Sequence, residues 1–240
     1  MEIELITTGT ELLLGRVLNT HQQWIGQRLA DSGYTLSRQV TVPDTGQAIR
    51  EAVQTALGRA RLVITTGGLG PTSDDITRGL IADLLARPVG RDESIVSHIE
   101  SFFARRNRPI PESVLVQAQV PKGAVVIPNE HGTAPGLAIE VSPNTFHETG
   151  IPAWLLMLPG PPRELRPMVE DRALPFIKKP LSLEQSFHCR TLRSLGIGES
   201  MVEEVLLGQL KPLMDRGLDL GFCARTGQVD IRLSGRGPEI

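Results

Sequence analysis

At 240 residues, 40% hydrophobic and 22% charged, the chain can bury a sizeable core and is too apolar to be disordered. A net charge of −2 lacks the basic excess of a dedicated nucleic-acid binder, so no nucleic-acid partner is expected. No apolar run is long enough to cross a membrane as a helix, the acidic start Met1-Glu2-Ile3-Glu4 is unlike a secretory signal, and the two distant cysteines, Cys189 and Cys223, read as reduced thiols, so the expected location is the cytoplasm.

Residues 2–8 alternate in a β-rich pattern that ends at Gly9. Residues 20–32 read as a helix stopped by Gly33, with Trp24, Ile25 and Leu29 on one face. A second strand is expected over 35–42, then a Pro43-Asp44-Thr45-Gly46 turn. An amphipathic helix follows, carrying Ile49, Ala52, Val53, Ala56 and Leu57 at helical spacing. Residues 62–66 form a short apolar run of the kind buried in a parallel sheet, followed by a glycine-rich loop and a helix over about 76–85. This alternation predicts an α/β, doubly wound, mainly parallel sheet.

A further helix is expected over 92–106, broken by Pro109 and Pro111, with a shorter helical stretch beyond. Residues 125–127, 137–140 and 154–158 read as strands near the far edge of the sheet, and 163–178 as the helix that closes a first domain, 1–178. The remainder reads strand (187–195), helix (200–210), strand (218–224), strand (229–233), a smaller α+β second domain, 181–240. It stops after Gly235-Arg236-Gly237 without a closing helix, which suggests a truncated domain or a continuation beyond it.

The segment richest in chemistry is Thr65-Thr66-Gly67-Gly68-Leu69-Gly70-Pro71-Thr72-Ser73-Asp74-Asp75-Ile76-Thr77. Gly67, Gly68 and Gly70 permit positive φ and close approach of a ligand to the backbone. Amides at the start of the next helix suit a phosphate, and Thr72, Ser73 and Thr77 add hydroxyls. Asp74 and Asp75 are hard oxygen ligands for a divalent cation. The same residues also suit a tight turn with an aspartate capping the helix. Gly9-Thr10-Glu11 ends the first strand, on the edge where open parallel sheets bind ligands. Glu11 there suits a metal, a ribose hydroxyl or simply a helix's first turn. Asp44 follows the second strand on that same edge, as a site residue or as a turn residue. Gly132-Thr133-Ala134-Pro135-Gly136 suits a phosphate- or ring-binding loop. Gly160 and Pro161 lie in Pro159-Gly160-Pro161-Pro162, a strand-to-helix turn that also suits the start of a helix. No histidine spacing matches a zinc site, and no serine or cysteine sits in a nucleophile elbow. The residues together predict a phosphate-containing ligand held with a carboxylate-bound cation (Mg²⁺, Mn²⁺ or Co²⁺), with Asp44, Asp74 and Asp75 as metal-binding and catalytic residues.

Four segments in this order, residues 9–15, 65–77, 132–136 and 159–162, resemble the CinA family, in particular its domain of the molybdopterin-binding MoaB/MogA type. The resemblance covers essentially the whole chain. It implies a MogA/MoaB-type first domain and a KH-like second domain. Its implied activity is metal-dependent ADP-ribose pyrophosphatase, giving AMP and ribose 5-phosphate, as part of pyridine-nucleotide salvage. Pro43-Asp44 and Asp75-Ile76-Thr77 also resemble MogA-type adenylyltransferases, so transfer to a pterin in molybdenum cofactor biosynthesis stays open, as does a non-catalytic nucleotide-binding role beside a nicotinamide mononucleotide deamidase. In the family that deamidase lies in a separate C-terminal domain, for which 240 residues leave no room, so deamidation is not expected of this chain. A homodimer is the expected assembly.

Overall fold

The computed structural model describes residues 2–182, 185 and 187–237; residues 1, 183, 184, 186 and 238–240 of the two expected domains lie outside the described residues. The chain divides into two compact units, Met1–Gly26 with Thr35–Ile177, and Gln27–Tyr34 with Lys178–Ile240.

The first unit is wound around strand β1 (Ile3–Thr8), every residue of which is buried. A short helix α1 (Thr10–Leu13) and a longer α2 (Thr20–Asp31) lead to β2 (Arg38–Val42). Next come α3 (Gly46–Leu57), β3 (Leu62–Thr66), α4 (Thr77–Leu84), β4 (Val89–Arg91) and α5 (Glu93–Ala104). A 3₁₀ stretch (Glu112–Ala118) precedes β5 (Gln119–Pro121), β6 (Val125–Ile127), β7 (Gly136–Val141), β8 (Ala153–Leu158) and α6 (Pro162–Met168). The main sheet has the order β2-β1-β3-β8-β7-β6. The first four strands are mutually parallel, and β7 and β6 are antiparallel additions.

Apolar spacing explains the helix that covers this sheet. Ile49, Val53, Ala56 and Leu57 form the buried stripe of α3 and share a core with Ile6, Val63, Leu155 and Met157. Fully burying such side chains is worth about 1.5–3 kcal/mol each. One charge is buried inside β1: Glu4, held by Arg59, with Arg38 at 3.9 Å. Pairing with two cations offsets the cost of burying that carboxylate in the sheet.

Three details depart from the sequence reading. The strand around 154–158 is central, pairing with β3 in register Leu62↔Trp154, while β6 forms the edge. The expected single helix over 163–178 is α6, then a π-helical turn (Val169–Ala173), then α7 (Leu174–Ile177). Pro167 and Pro175 lack amide hydrogens, so the i→i−4 ladder is interrupted there and the winding loosens. β4 and β5 form a small antiparallel pair that the sequence reading did not include.

The second unit contains β9 (Phe187–Leu195), α8 (Glu199–Met214), β10 (Asp219–Arg225) and β11 (Gln228–Arg236), with an antiparallel sheet ordered β10-β11-β9. Val202 of α8 packs on Val229 and Ile231. Asp230 accepts Arg193 Nε at 2.6 Å and lies 3.3 Å from Arg225, and these cations hold its carboxyl below the usual carboxylate range. The Tyr34 hydroxyl donates to the Leu181 carbonyl at 2.9 Å, tying the Gln27–Tyr34 segment to the rest of the unit.

Candidate functional site

The chain leaves β1 toward β2 on one side and reaches β3 on the other, so the sheet has its topological switch point between β1 and β3. Open α/β sheets bind ligands in the crevice at the carboxyl ends of the strands at such a point. A cavity of about 350 Å³ lies there, with walls from the loops after β1, β2, β3 and β8.

The carboxylates Glu11, Asp44, Asp74 and Asp75 line it, together with Gly9, Gly67, Gly68 and Gly160. Asp44 is fixed by a reciprocal pair: the Thr10 amide donates to Asp44 Oδ2 at 2.8 Å, and the Asp44 amide donates to Thr10 Oγ1 at 3.1 Å. Thr10 thus serves the site by orienting Asp44. Asp75 Oδ2 accepts the Thr72 amide at 3.0 Å and the Thr72 hydroxyl. The nearby Thr72 hydroxyl, then the Asp74 amide, holds the exposed Asp74 carboxyl below the usual carboxylate range, while the hydrogen bond of that hydroxyl is made to Asp75.

The glycine-rich loop carries internal packing that the sequence reading did not include. A Cβ on Gly68, at φ +67°, would overlap Thr77 Oγ1, and one on Gly70 would overlap the Asp75 carboxylate. A Cβ on Gly67 would stand 2.6 Å from Thr8 Oγ1. These glycines make room for the protein's own side chains. Amides leading into α4, through its first residue Thr77, are bonded within the protein. Gly67 N–H donates to the Leu158 carbonyl, and those of Asp75, Ile76 and Thr77 to the carbonyls of Thr72, Asp74 and Gly68, at 2.9–3.1 Å. Gly70, Thr72, Ser73, Thr77 and Pro161 stand outside the cavity lining.

The segment 132–136 also stands apart. Gly136 opens β7, where a Cβ would meet Met168 Sδ at 2.7 Å. Gly132 leaves space for the Glu164 carboxylate and bonds His98 Nε2 through its carbonyl at 2.9 Å. Asn129 Nδ2 donates to the Ala134 carbonyl (2.7 Å) and to Glu164 (2.8 Å). Gly132, Thr133, Pro135 and Gly136 do not line the cavity; the packing of Gly132 and Gly136 and these hydrogen bonds account for the turn.

Other residues reach the cavity without having been singled out in the sequence. Thr7, Asn19, Thr20 and His21 line it. His21 is half-buried in the first turn of α2, with Nδ1 3.4 Å from Thr66 Oγ1; burial, then the nearby Arg166 charge, lowers its pKa from the ordinary 6.5. Arg78, 5% exposed, lies beneath the loop and donates to the Leu69 carbonyl at 3.3 Å. Burial pushes its pKa down, and the Asp75 charge opposes that shift. The sheet-edge rule, applied to every residue that follows β1, would have found His21.

Among the described residues no three His, Cys, Asp or Glu side chains gather as a protein-only metal cage. The oxygen donors present fit a hard cation held by one or two carboxylates together with ligand phosphates and water. They do not fit a zinc-type cage.

The family described as "Probable molybdopterin binding domain" matches residues 4–179. A CinA-like protein of Akkermansia muciniphila is 45% identical over 98% of this chain and 54% of its own length. The chain spans about half the length of the curated relatives it matches. A solved structure of the CinA protein of Thermoplasma acidophilum, described as of unknown function, is 31% identical, covers 72% of this chain and 97% of its own, and superposes with a TM-score of 0.63.

Proposed function

Because the chain belongs to the probable molybdopterin binding domain family, and within it to the CinA-like proteins, we propose that the switch-point cavity binds a phosphorylated nucleotide and hydrolyses its diphosphate, with ADP-ribose as the substrate. The observation that carries this reading is that four carboxylates from three loops line one cavity of about 350 Å³. Carboxylates repel a diphosphate across a cleft more strongly than in bulk water. Gathering them beside a phosphate site therefore makes chemical sense with a cation between the two.

One or two of Asp44, Asp74 and Asp75 would hold that cation, together with phosphate oxygens of the ligand and water. When bound, it neutralises the diphosphate and polarises the phosphoryl group. The chain's own residues do the rest. Thr10 keeps Asp44 aimed at the cavity. Thr72 holds Asp75 in place, and Gly70 leaves space for that carboxylate. The apolar Leu12, Val17 and Leu18 line the cavity, and Leu18 is 85% exposed. A planar base laid on this lip would cover apolar surface otherwise in contact with water.

A second reading, adenylyl transfer to a pterin, is favoured by the description of the matched family. Both ligands combine a ring with phosphate, so product analysis separates them. The purified chain is incubated with ADP-ribose and Mg²⁺, Mn²⁺ or Co²⁺, and the nucleotides are resolved by chromatography. Release of AMP and ribose 5-phosphate in equal amounts is expected. An unchanged ADP-ribose peak with all three metals would overturn the hydrolase reading.

A further inference from the structure

The helix start that lines the cavity with polar side chains is that of α2, whereas Thr77 at the start of α4 stands outside the lining. The entry to α2 is built to face the cavity. Asn19 caps it, its Oδ1 accepting the Gln22 amide at 3.3 Å, and Asn19, Thr20 and His21 all line the cavity wall. The helix runs twelve residues, with no acidic side chain in its first turn to offset the positive end of its dipole.

Two side chains add to this. Thr7, at the end of β1, is 1% exposed and lines the cavity, and its Oγ1 is buried without a hydrogen-bond partner among the described residues. A buried hydroxyl left unpaired is destabilising, so its retention calls for an explanation at the level of the site. His21 Nδ1 lies 3.4 Å from the fully buried Thr66 hydroxyl, a contact in which Nδ1 accepts when the ring is the Nε2–H tautomer. An imidazole accepting at Nδ1 carries its proton on Nε2. Burial, then the Arg166 charge, lowers the ring's pKa, which favours the neutral form.

We propose that the anion subsite of the cavity is the mouth of α2, where His21 Nε2–H and the Thr7 hydroxyl donate to a phosphoryl oxygen of the bound ligand. This rests on the proposed nucleotide reading and moves the phosphate contact from the glycine-rich loop to the first strand and its helix. The carboxylates on the opposite loops are then left to the cation and the second phosphoryl group.

The test is calorimetric titration of the full chain with ADP-ribose, AMP and inorganic pyrophosphate, in the presence of Mg²⁺, using wild type, Thr7→Val, His21→Leu and His21→Gln, with thermal midpoints measured alongside. Loss of a hydrogen bond to a charged group should weaken binding about tenfold in Thr7→Val and in His21→Leu. His21→Gln, whose amide reaches about as far as Nε2, should stay within about threefold of wild type. The midpoint of Thr7→Val should hold or rise, because the variant deletes an unpaired hydroxyl from an otherwise satisfied strand. Unchanged affinity in Thr7→Val and His21→Leu, with wild type binding normally, overturns this inference alone. A fall in the Thr7→Val midpoint in step with its affinity also overturns it, because the hydroxyl would then be structural. Failure of wild type to bind all three probes overturns both the subsite and the nucleotide reading.

Discussion

Asp74 and Asp75 are neighbours in sequence with different surroundings. Asp75 accepts two hydrogen bonds from Thr72 and offsets the charge of the buried Arg78. Asp74 is exposed and bonded locally. Asp75→Asn therefore weakens the loop's own bonding and leaves Arg78 less compensated, destabilising the fold by about 1–2 kcal/mol. Asp74→Asn leaves the thermal midpoint where it is, and its effect falls on turnover of ADP-ribose, by about tenfold or more. Denaturant unfolding and initial rates on the two variants check this. Equal stability losses would mean that Arg78 does not depend on Asp75, and unchanged turnover in Asp74→Asn would remove that residue from the chemistry.

At the scale of the element, glycines that look alike in sequence separate by what surrounds them. Gly15 and Gly68 have nearly the same φ, +66° and +67°. A Cβ on Gly15 meets nothing within 4 Å, whereas one on Gly68 overlaps Thr77 at the start of α4. Gly15→Ala should cost about 1 kcal/mol of left-handed strain, and Gly68→Ala about 3 kcal/mol or more, because the overlap adds to the strain. Chemical denaturation of both variants measures the difference, and equal losses would mean that the Gly68–Thr77 packing yields freely. The same contrast shows what could be read in advance. β1, β3, the loop from Gly67 and the helix after it were legible, because an apolar run followed by glycines and a capping segment is a local signal. The central place of β8 was not, because strand order depends on which sheet edge accepts the chain. The packing role of Gly132 and Gly136 was hidden for a similar reason: Glu164 and Met168, which need their space, lie about thirty residues further along the chain. His21 carried no pattern of its own, and only the fold brings it opposite Thr66.

For the molecule as a whole, the parallel half of the sheet puts the ends of β1, β2, β3 and β8 side by side, and four loops distant in sequence become one cavity. The antiparallel strands β7 and β6 extend the sheet without contributing to that cavity's lining. Asp44, Asp74 and Asp75 line one cavity because of the winding as much as of the residues, and the proposed function puts a cation between them and a diphosphate. The most direct test is calorimetric titration of ADP-ribose into wild type and Asp74→Asn, each with and without Mg²⁺. Wild type should bind one ADP-ribose per chain, with affinity rising about tenfold or more on adding the metal. In Asp74→Asn the metal-free affinity should stay the same or rise, since a repelling charge has been removed, and the gain from Mg²⁺ should shrink. An undiminished gain in the variant, or no ADP-ribose binding by wild type under either condition, would contradict the account.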